Sequence, residues 1–170
     1  IVYNKPKGEI VSKKDPQGRR TIYDSLYHKY KHFLSVGRLD YASEGLLLLS
    51  DSVEIVDALM HSDLERVYKI KVNGVITKPV EQAMQNGLEI EDATGGAFKT
   101  TKIKSMSFAP FLAYDILTNG EKFSKIKVVI SEGKNRELRR FFAHFGLDVL
   151  DLKRLEYGGI SLNNLPTGKT

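Results

Sequence analysis

Residues 36–51 read VGRLDYASEGLLLLSD, a polar break followed by an almost wholly apolar run. The run 45–50 predicts a strand buried on both faces, and residues 33–36 predict another strand before the break. Arg38 and Asp40 would then lie on a loop that core strands hold at both ends, where side chains have little freedom. An acid on such a loop, near a cation, can stay ionised and act as a nucleophile or a base. The same two residues also fit a minor surface ion pair, and spacing alone favours that plainer interpretation.

The rest of the chain predicts strands in runs, with only a few short helices between them. Alternating apolar residues and turn residues predict the strands, whereas apolar residues at helical spacing and capping residues predict the helices. The predicted strands are residues 1–4, 10–12, 33–36, 45–50, 66–72, 88–90, 98–107, 112–117, 125–130 and 147–155, and the predicted helices are 21–30, 53–61, 78–86 and 136–145. Asn119-Gly120 is a hairpin signal between two of these strands. This order predicts the α+β class, with a central, largely antiparallel mixed sheet flanked by short helices, rather than a doubly wound fold.

The composition limits the class of protein. The 170 residues are 41% hydrophobic and 28% charged, which suits one domain or two small lobes sharing a sheet. The net charge of +5 favours a polyanionic partner such as nucleic acid, or an acidic membrane surface. The absence of Cys excludes a disulfide scaffold and a zinc–cysteine site, and no run approaches the roughly 20 apolar residues of a bilayer span. His28 and His32 fit a solvated helix end better than a metal site, and we expect no metal, no membrane and a cytoplasmic location.

Segment 136–145 combines an apolar stripe with a basic face. The apolar residues at helical spacing are Leu138, Phe141, Phe142 and Phe145. The basic residues of this region are Lys134, Arg136, Arg139 and Arg140. Cations at a helix start oppose the helix dipole, which suggests a compensating anion such as the phosphates of a nucleic acid, with a solvated basic face as the alternative. Arg139, next to the apolar stripe, is the better candidate to point inward.

Two further features suit RNA but also have plainer interpretations. Tyr68 lies on the apolar side of strand 66–72, where a core aromatic is the default and a ring that stacks on a nucleobase is the alternative. A basic section near the start fits either phosphate contact or a solvated loop. Its members are Lys5, Lys7, Lys13, Lys14, Arg19 and Arg20. No Gly-rich phosphate loop, Ser–His–Asp order or paired-carboxylate motif is evident, and we expect no cofactor.

Several segments together resemble one family. Residues 36–51 are similar to the signature of the pseudouridine synthases that modify bacterial ribosomal RNA of the small or large subunit: Gly-Arg-Leu-Asp, two variable residues, Ser or Thr, one variable residue and an apolar run. The other matching segments are residues 3–8 (YNKPKG), 15–21 (DPQGRRT), 66–69 (RVYK), 132–141 (EGKNRELRRF) and parts of 150–168. The resemblance covers nearly the whole chain and implies the fold of the family's catalytic domain for residues 1–170.

The resemblance also implies a reaction and a set of residues. The family isomerises uridine to pseudouridine without a cofactor or metal, by detaching uracil from C1′ of the ribose and rejoining it through C5. By match to the family motifs, Asp40 is the catalytic carboxylate, Tyr68 stacks on the uracil, and Arg139 keeps Asp40 ionised and aimed. Asp40 would either attack C1′ or remove a ribose proton, and Arg38 would help to hold the flipped-out strand. The expected RNA contacts are Lys134, Arg136, Arg140, Leu152, Lys153 and Arg154.

Two departures from the family pattern bear on this expectation. Glu137 stands where many relatives have Gln, which adds a negative charge beside Arg139. Relatives commonly carry an N-terminal S4-type RNA-binding domain, and because the chain opens on Ile1 instead of Met we expect that it starts after such a domain. The expected partner is ribosomal RNA or a pre-ribosomal particle, and we favour the large subunit (23S) over the small subunit (16S). The expected oligomeric state is a monomer.

Two other functions stay open at this point. The first is a non-catalytic RNA-binding module of ribosome assembly with the same fold, although the motif residues that carry the chemistry are all intact here. The second is a basic structural or adaptor domain with no RNA partner. Salt-independent behaviour and a failure to retain RNA would support the second.

Overall fold

The computed structural model describes all residues 1–170, which form two compact units. Unit 1 comprises Ile1–Leu64 and Lys153–Thr170, and unit 2 comprises Glu65–Leu152. The strands are β1 (Val2–Lys5), β2 (Leu34–Ser35), β3 (Glu44–Ser50), β4 (Arg66–Val72), β5 (Leu88–Ile90), β6 (Met106–Phe108), β7 (Ala113–Asn119), β8 (Ser124–Ile130), β9 (Val149–Tyr157) and β10 (Ile160–Ser161). The helices are α1 (Ile22–Ser25), α2 (Val53–Met60), α3 (Lys78–Asn86) and α4 (Glu137–His144), with a 3₁₀ turn at His28–Tyr30. The predicted α+β class with a mixed, largely antiparallel sheet is confirmed.

Strand β3 is the centre of unit 1. It pairs in antiparallel fashion with β1 and β2, and its first residues pair in parallel with the middle of β9, where Gly45 lies opposite Arg154. Leu47 and Leu49 pack into one hydrophobic cluster with Tyr3, whereas the alternate residues of β3 pack into another around Val36. Because successive side chains of a strand point to opposite faces, the apolar run buries β3 on both faces, as its composition predicted.

Unit 2 is an antiparallel sheet packed against two helices. Strand β8 lies between β4 and β7, and β5 and β6 form a separate two-stranded sheet. The core combines one face of β4 and β8 with residues of α3 and α4. The Phe141 ring of α4 lies 4.9 Å from the Phe111 ring and meets the Phe142 ring edge to face at 5.2 Å. The apolar stripe predicted for this helix is therefore its core-facing side.

The structure corrects three of the predicted elements. The helix predicted at 21–30 is only the single turn α1, because Leu26 adopts an extended backbone that buries its side chain, and a separate 3₁₀ turn follows. The strand predicted at 10–12 is a single bridge between Ile10 and Thr21. The strand predicted at 98–107 is confined to β6, and residues 93–105 form an irregular loop that α4 holds through side-chain hydrogen bonds.

Two smaller differences concern the ends of elements. Arg136, rather than Asn135, precedes α4, and it does so in a left-handed backbone conformation with φ of 48°. The short strand β10 was not predicted, and it pairs with β9 across the turn at Gly158-Gly159. None of the helices is long and apolar enough to cross a membrane.

Candidate active site

The loop that carries Asp40 is fixed in unit 1 by its own backbone and by buried neighbours. Gly37 opens the loop at a φ of 69°, and Leu39 is buried in a hydrophobic cluster. The backbone N–H of Ser43 donates to the carbonyl oxygen of Asp40 at 3.0 Å and closes a tight turn. Asp40 is partly buried and Arg38 is exposed. The acid is therefore presented from a short, anchored turn, as the sequence predicted for a loop between two strands.

Lys5 is the residue that ties this loop to β1. Its side chain is fully buried, and its ammonium group donates to the backbone carbonyl oxygens of Pro6, Asp40 and Ser43 at 2.9, 3.0 and 2.7 Å. Burial lowers the pKa of Lys5 to about 8, an effect that nearby carboxylates including Asp40 partly offset. The interpretation of Lys5 as part of a solvated or phosphate-binding section is wrong. The feature of the sequence that could have indicated the burial of Lys5 was its position at the end of a strand, directly after Tyr3 and Asn4.

A second buried network lies beside Lys5. The Tyr3 hydroxyl donates to a carboxylate oxygen of Glu9 at 2.7 Å, and the Ser25 hydroxyl donates to the other oxygen. Arg20 lies 3.4 Å from the same carboxylate. Burial and then the Glu9 contact raise the pKa of Tyr3 above its usual range, so its hydroxyl stays protonated. The network fixes the chain on both sides of Lys5, and no feature of the sequence indicated it.

Unit 2 holds the two other residues that the family motifs mark as catalytic. Tyr68 lies on β4, is 7% exposed and belongs to the hydrophobic core of the unit. Arg139 lies on α4, is partly buried and donates from one guanidinium nitrogen to the carbonyl oxygen of Val149 at 3.4 Å. Both side chains are held by their own unit, which limits their freedom.

The expected RNA contacts divide into buried and exposed residues. Arg140 is 1% exposed and donates to the carbonyl oxygens of Ala93 and Ile103 and to two side-chain oxygens. Arg154 is 4% exposed and donates to the carbonyl oxygen of Leu46, and Leu152 is part of the core of unit 2. The prediction that Arg140 and Arg154 contact phosphate is corrected, because protein encloses both side chains, whereas Leu152 as an RNA contact stays a prediction. Arg140, not Arg139, is the most buried arginine of α4, since the loop at 93–105 covers that side of the helix.

The remaining predicted contacts are accessible. Lys134 is exposed, hydrogen-bonds to the carbonyl oxygen of Ser107 and lies 3.5 Å from Glu132. Arg136 is partly exposed, and its guanidinium stacks on an exposed Phe98 at 4.3 Å from the ring centroid. Lys153 is also partly exposed. These residues keep a cationic group within reach of solvent.

Glu137, the departure from the family pattern, is buried at the start of α4. Its carboxyl group accepts from the backbone N–H of Lys134 at 3.3 Å. Burial, followed by the neighbouring carboxylate of Glu132, raises the pKa of Glu137 to about 8. Both effects favour the protonated form of Glu137, which carries no charge. That form can donate a hydrogen bond as a Gln amide does, and it lacks the negative charge expected beside Arg139.

Comparisons with known proteins identify the family of this chain. The model of the RNA pseudouridylate synthase family matches residues 1–144. A Helicobacter pylori protein named an uncharacterized RNA pseudouridine synthase is 62% identical over 169 residues, which are 99% of this chain and 64% of the relative. A ribosomal large subunit pseudouridine synthase B of Pseudomonas aeruginosa is 34% identical over 168 residues, which are 96% of this chain and 40% of the relative.

A solved structure of a pseudouridylate synthase has a similar fold. It is described as the crystal structure of pseudouridylate synthase, and it aligns with a TM-score of 0.75 at 25% identity over 99% of this chain and 66% of that one. The α+β fold of this chain is therefore that of the pseudouridine synthases. The chain belongs to the RNA pseudouridylate synthase family. It spans about two thirds or less of the length of the relatives that it matches.

Proposed function

We propose that this chain isomerises a specific uridine of ribosomal RNA to pseudouridine, and that the target lies in the large-subunit (23S) rather than the small-subunit (16S) RNA. The observation that carries the proposal is the Asp40 turn, which buried Lys5 fixes through hydrogen bonds to the backbone carbonyl oxygens of Asp40 and Ser43. The large-subunit target is supported by the names of relatives such as the Pseudomonas aeruginosa protein. The RNA substrate would be free ribosomal RNA or a pre-ribosomal particle, which a monomer can bind.

The reaction needs no second substrate. The bond between N1 of uracil and C1′ of the ribose breaks, the base turns, and a bond forms between C5 and C1′. The proton lost from C5 balances the proton gained by N1, so the product is an isomer. Asp40 would start the reaction either by attack on C1′ or by removal of a ribose proton, and both roles require its ionised form. A carboxylate on a fixed turn is suited to either role because its approach is set before the substrate binds.

The other site residues have roles that follow from the family motifs. Tyr68 would stack on the flipped-out uracil, and its place in a packed core keeps the ring rigid. Arg139 would favour the ionised form of Asp40. Arg38, which is exposed beside Asp40 in sequence, would contact the RNA strand from which the uridine is extruded. Lys134, Arg136 and Lys153 would supply salt-sensitive phosphate contacts.

The substrate proposal is tested by mapping pseudouridine in unmodified large-subunit and small-subunit ribosomal RNA transcripts. Each transcript is incubated with the chain, treated with carbodiimide and read by primer extension. A protein-dependent stop at one uridine of the large-subunit transcript is the expected result. Stops only in the small-subunit transcript would contradict the choice of subunit, and RNA binding without any stop would favour the non-catalytic assembly module.

A further inference from the structure

Residues 93–105 of unit 2, here called the lysine loop, carry no part of the proposed catalytic set. The loop lies in the connection from β5 to β6 and contains Lys99, Lys102 and Lys104, whereas the two acidic residues of that connection, Glu91 and Asp92, precede the loop. All three lysines are exposed. The loop is therefore a local concentration of positive charge that the fold does not require for its core.

Arg140 fixes the lysine loop onto α4. Its buried guanidinium donates to the carbonyl oxygens of Ala93 at 3.0 Å and Ile103 at 2.9 Å, at the two ends of the loop, and to the Thr101 hydroxyl at 2.9 Å. Gly96 packs so closely on the helix that a Cβ atom there would lie 2.5 Å from the carbonyl oxygen of Arg139. These contacts order the loop before a ligand arrives, which lowers the entropic cost of binding.

Phe98 stands on this ordered loop as an exposed aromatic ring. Its side chain is 54% exposed, and the Arg136 guanidinium lies 4.3 Å from the ring centroid. Arg136 is itself held by a hydrogen bond to the carbonyl oxygen of Gly96 at 2.7 Å. An open pocket of about 370 Å³ adjoins the loop and is lined in part by Ile103 and Lys134. A fixed ring flanked by cations matches single-stranded RNA, whose bases stack on aromatic rings while its phosphates contact the cations.

We propose that the lysine loop, together with Phe98 and Arg136, is a second RNA-binding surface that takes a single-stranded segment of the substrate outside the target uridine. One base stacks on the Phe98 ring, and the loop lysines contact the flanking phosphates. This surface rests on the proposed function, because its ligand is the RNA that the enzyme modifies. A protein partner fits less well, since a single exposed ring offers little apolar area and three exposed lysines repel most basic surfaces.

The stacking contact is tested by the affinity for an unmodified ribosomal RNA transcript, measured by filter binding. Phe98→Leu keeps an apolar side chain but removes the ring, and it should weaken binding about tenfold, whereas Phe98→Tyr should bind within about twofold of the native chain. Phe123→Leu is the matched control, because Phe123 is 42% exposed in the same unit and lies 4.4 Å from the Lys71 ammonium group. We expect its affinity to be unchanged.

The charge contact is tested by the salt dependence of the same binding. A triple change of Lys99, Lys102 and Lys104 to Gln should reduce the slope of log affinity against log salt by about two, since each phosphate contact with a single strand contributes about 0.7. A triple change of Lys29, Lys31 and Lys78 to Gln removes the same charge from exposed positions elsewhere and should change the slope by less than half as much.

Pseudouridine formation, measured on the same preparations, separates this inference from the proposed function. If the native chain is active and Phe98→Leu binds RNA with the same affinity as the native chain, the second surface is contradicted and the proposed function stands. A protein-binding role for Phe98 would give this same result. An equal loss of affinity in Phe98→Leu and Phe123→Leu, or no RNA binding by the native chain, would overturn the second surface as well. Binding that depends on Phe98 in a native chain that forms no pseudouridine would support the surface and contradict the proposed function.

Discussion

Lys5 shows how one buried cation can shape the turn that carries Asp40. An ammonium group removed from water is costly unless its protons have acceptors, and here three carbonyl oxygens supply them. Two of these carbonyls belong to the turn that contains Asp40 and Ser43. The position of the proposed catalytic acid thus depends on a residue whose own side chain is fully buried and does not touch solvent.

The first prediction concerns the loss of this cation. Lys5→Met keeps most of the side-chain volume but leaves three carbonyl oxygens without their donor, and it should lower the free energy of unfolding by about 3 kcal/mol. Urea denaturation measures the change, and pseudouridine formation should fall at least tenfold because the Asp40 turn loosens. Lys31→Met, at an exposed position, should stay within about 0.5 kcal/mol of the native chain. Equal stability of Lys5→Met and the native chain would contradict this role.

The second prediction concerns Glu137 and pH. The folded chain raises the pKa of this carboxyl from 4.5 to about 8. Between these two values the folded state keeps a proton that the unfolded state has released, so the free energy of unfolding falls as the pH rises through that window. Glu137→Gln removes this titration, and it should be more stable than the native chain at pH 8 but similar to it at pH 4.5.

Thermal unfolding at a series of pH values measures the effect. Glu121→Gln, an exposed change, should keep the pH dependence of the native chain. An unchanged pH dependence in Glu137→Gln would show that Glu137 is ionised in the folded protein.

At the scale of elements, the parallel contact between β3 and β9 depends on a glycine. Gly45 has a φ of 109°, and a Cβ atom there would lie 2.7 Å from the backbone nitrogen of Arg154 and closer still to its carbonyl oxygen. Both obstacles are backbone atoms, which cannot move aside without disturbing the strand pairing. The glycine within the signature motif is therefore required by strand packing.

The third prediction follows from that contact. Gly45→Ala should lower the free energy of unfolding by about 3 kcal/mol, from backbone strain and overlap together. Gly18→Ala is the matched control, because Gly18 has a φ of 69° but open space around it, and strain alone should cost about 1 kcal/mol. Denaturant unfolding compares the two variants, and equal losses would mean that the β9 backbone does not restrict position 45.

For the molecule as a whole, the sequence predicted the class of fold and most elements because their signals are local. The apolar run of β3, the alternation in β4 and the Asn-Gly turn before β8 each involve neighbouring residues. The burial of Lys5 and Arg140 was missed because it depends on chain segments far apart in sequence. Lys5 is enclosed by the Asp40 turn, and Arg140 by the loop at 93–105, so the residue type alone suggested a surface position.

The sequence predicted less of the candidate site than of the fold. The motifs mark Asp40, Tyr68 and Arg139, and these assignments stay predictions until the chemistry is measured. The local supports of Asp40 became visible only in the structure, since hydrogen bonds from a lysine to backbone carbonyls leave no pattern in the sequence. The division of the basic residues into buried and exposed sets also required the structure.

Pseudouridine formation by Asp40→Asn is the most direct measurement of the catalytic assignment. The amide has nearly the size of the carboxylate but can neither attack C1′ nor accept the ribose proton as a carboxylate would. The variant should fold, bind ribosomal RNA like the native chain and form no detectable pseudouridine in the carbodiimide assay, while Asp51→Asn, at an exposed position just after β3, should keep full activity. Normal pseudouridine formation by Asp40→Asn would contradict Asp40 as the catalytic residue.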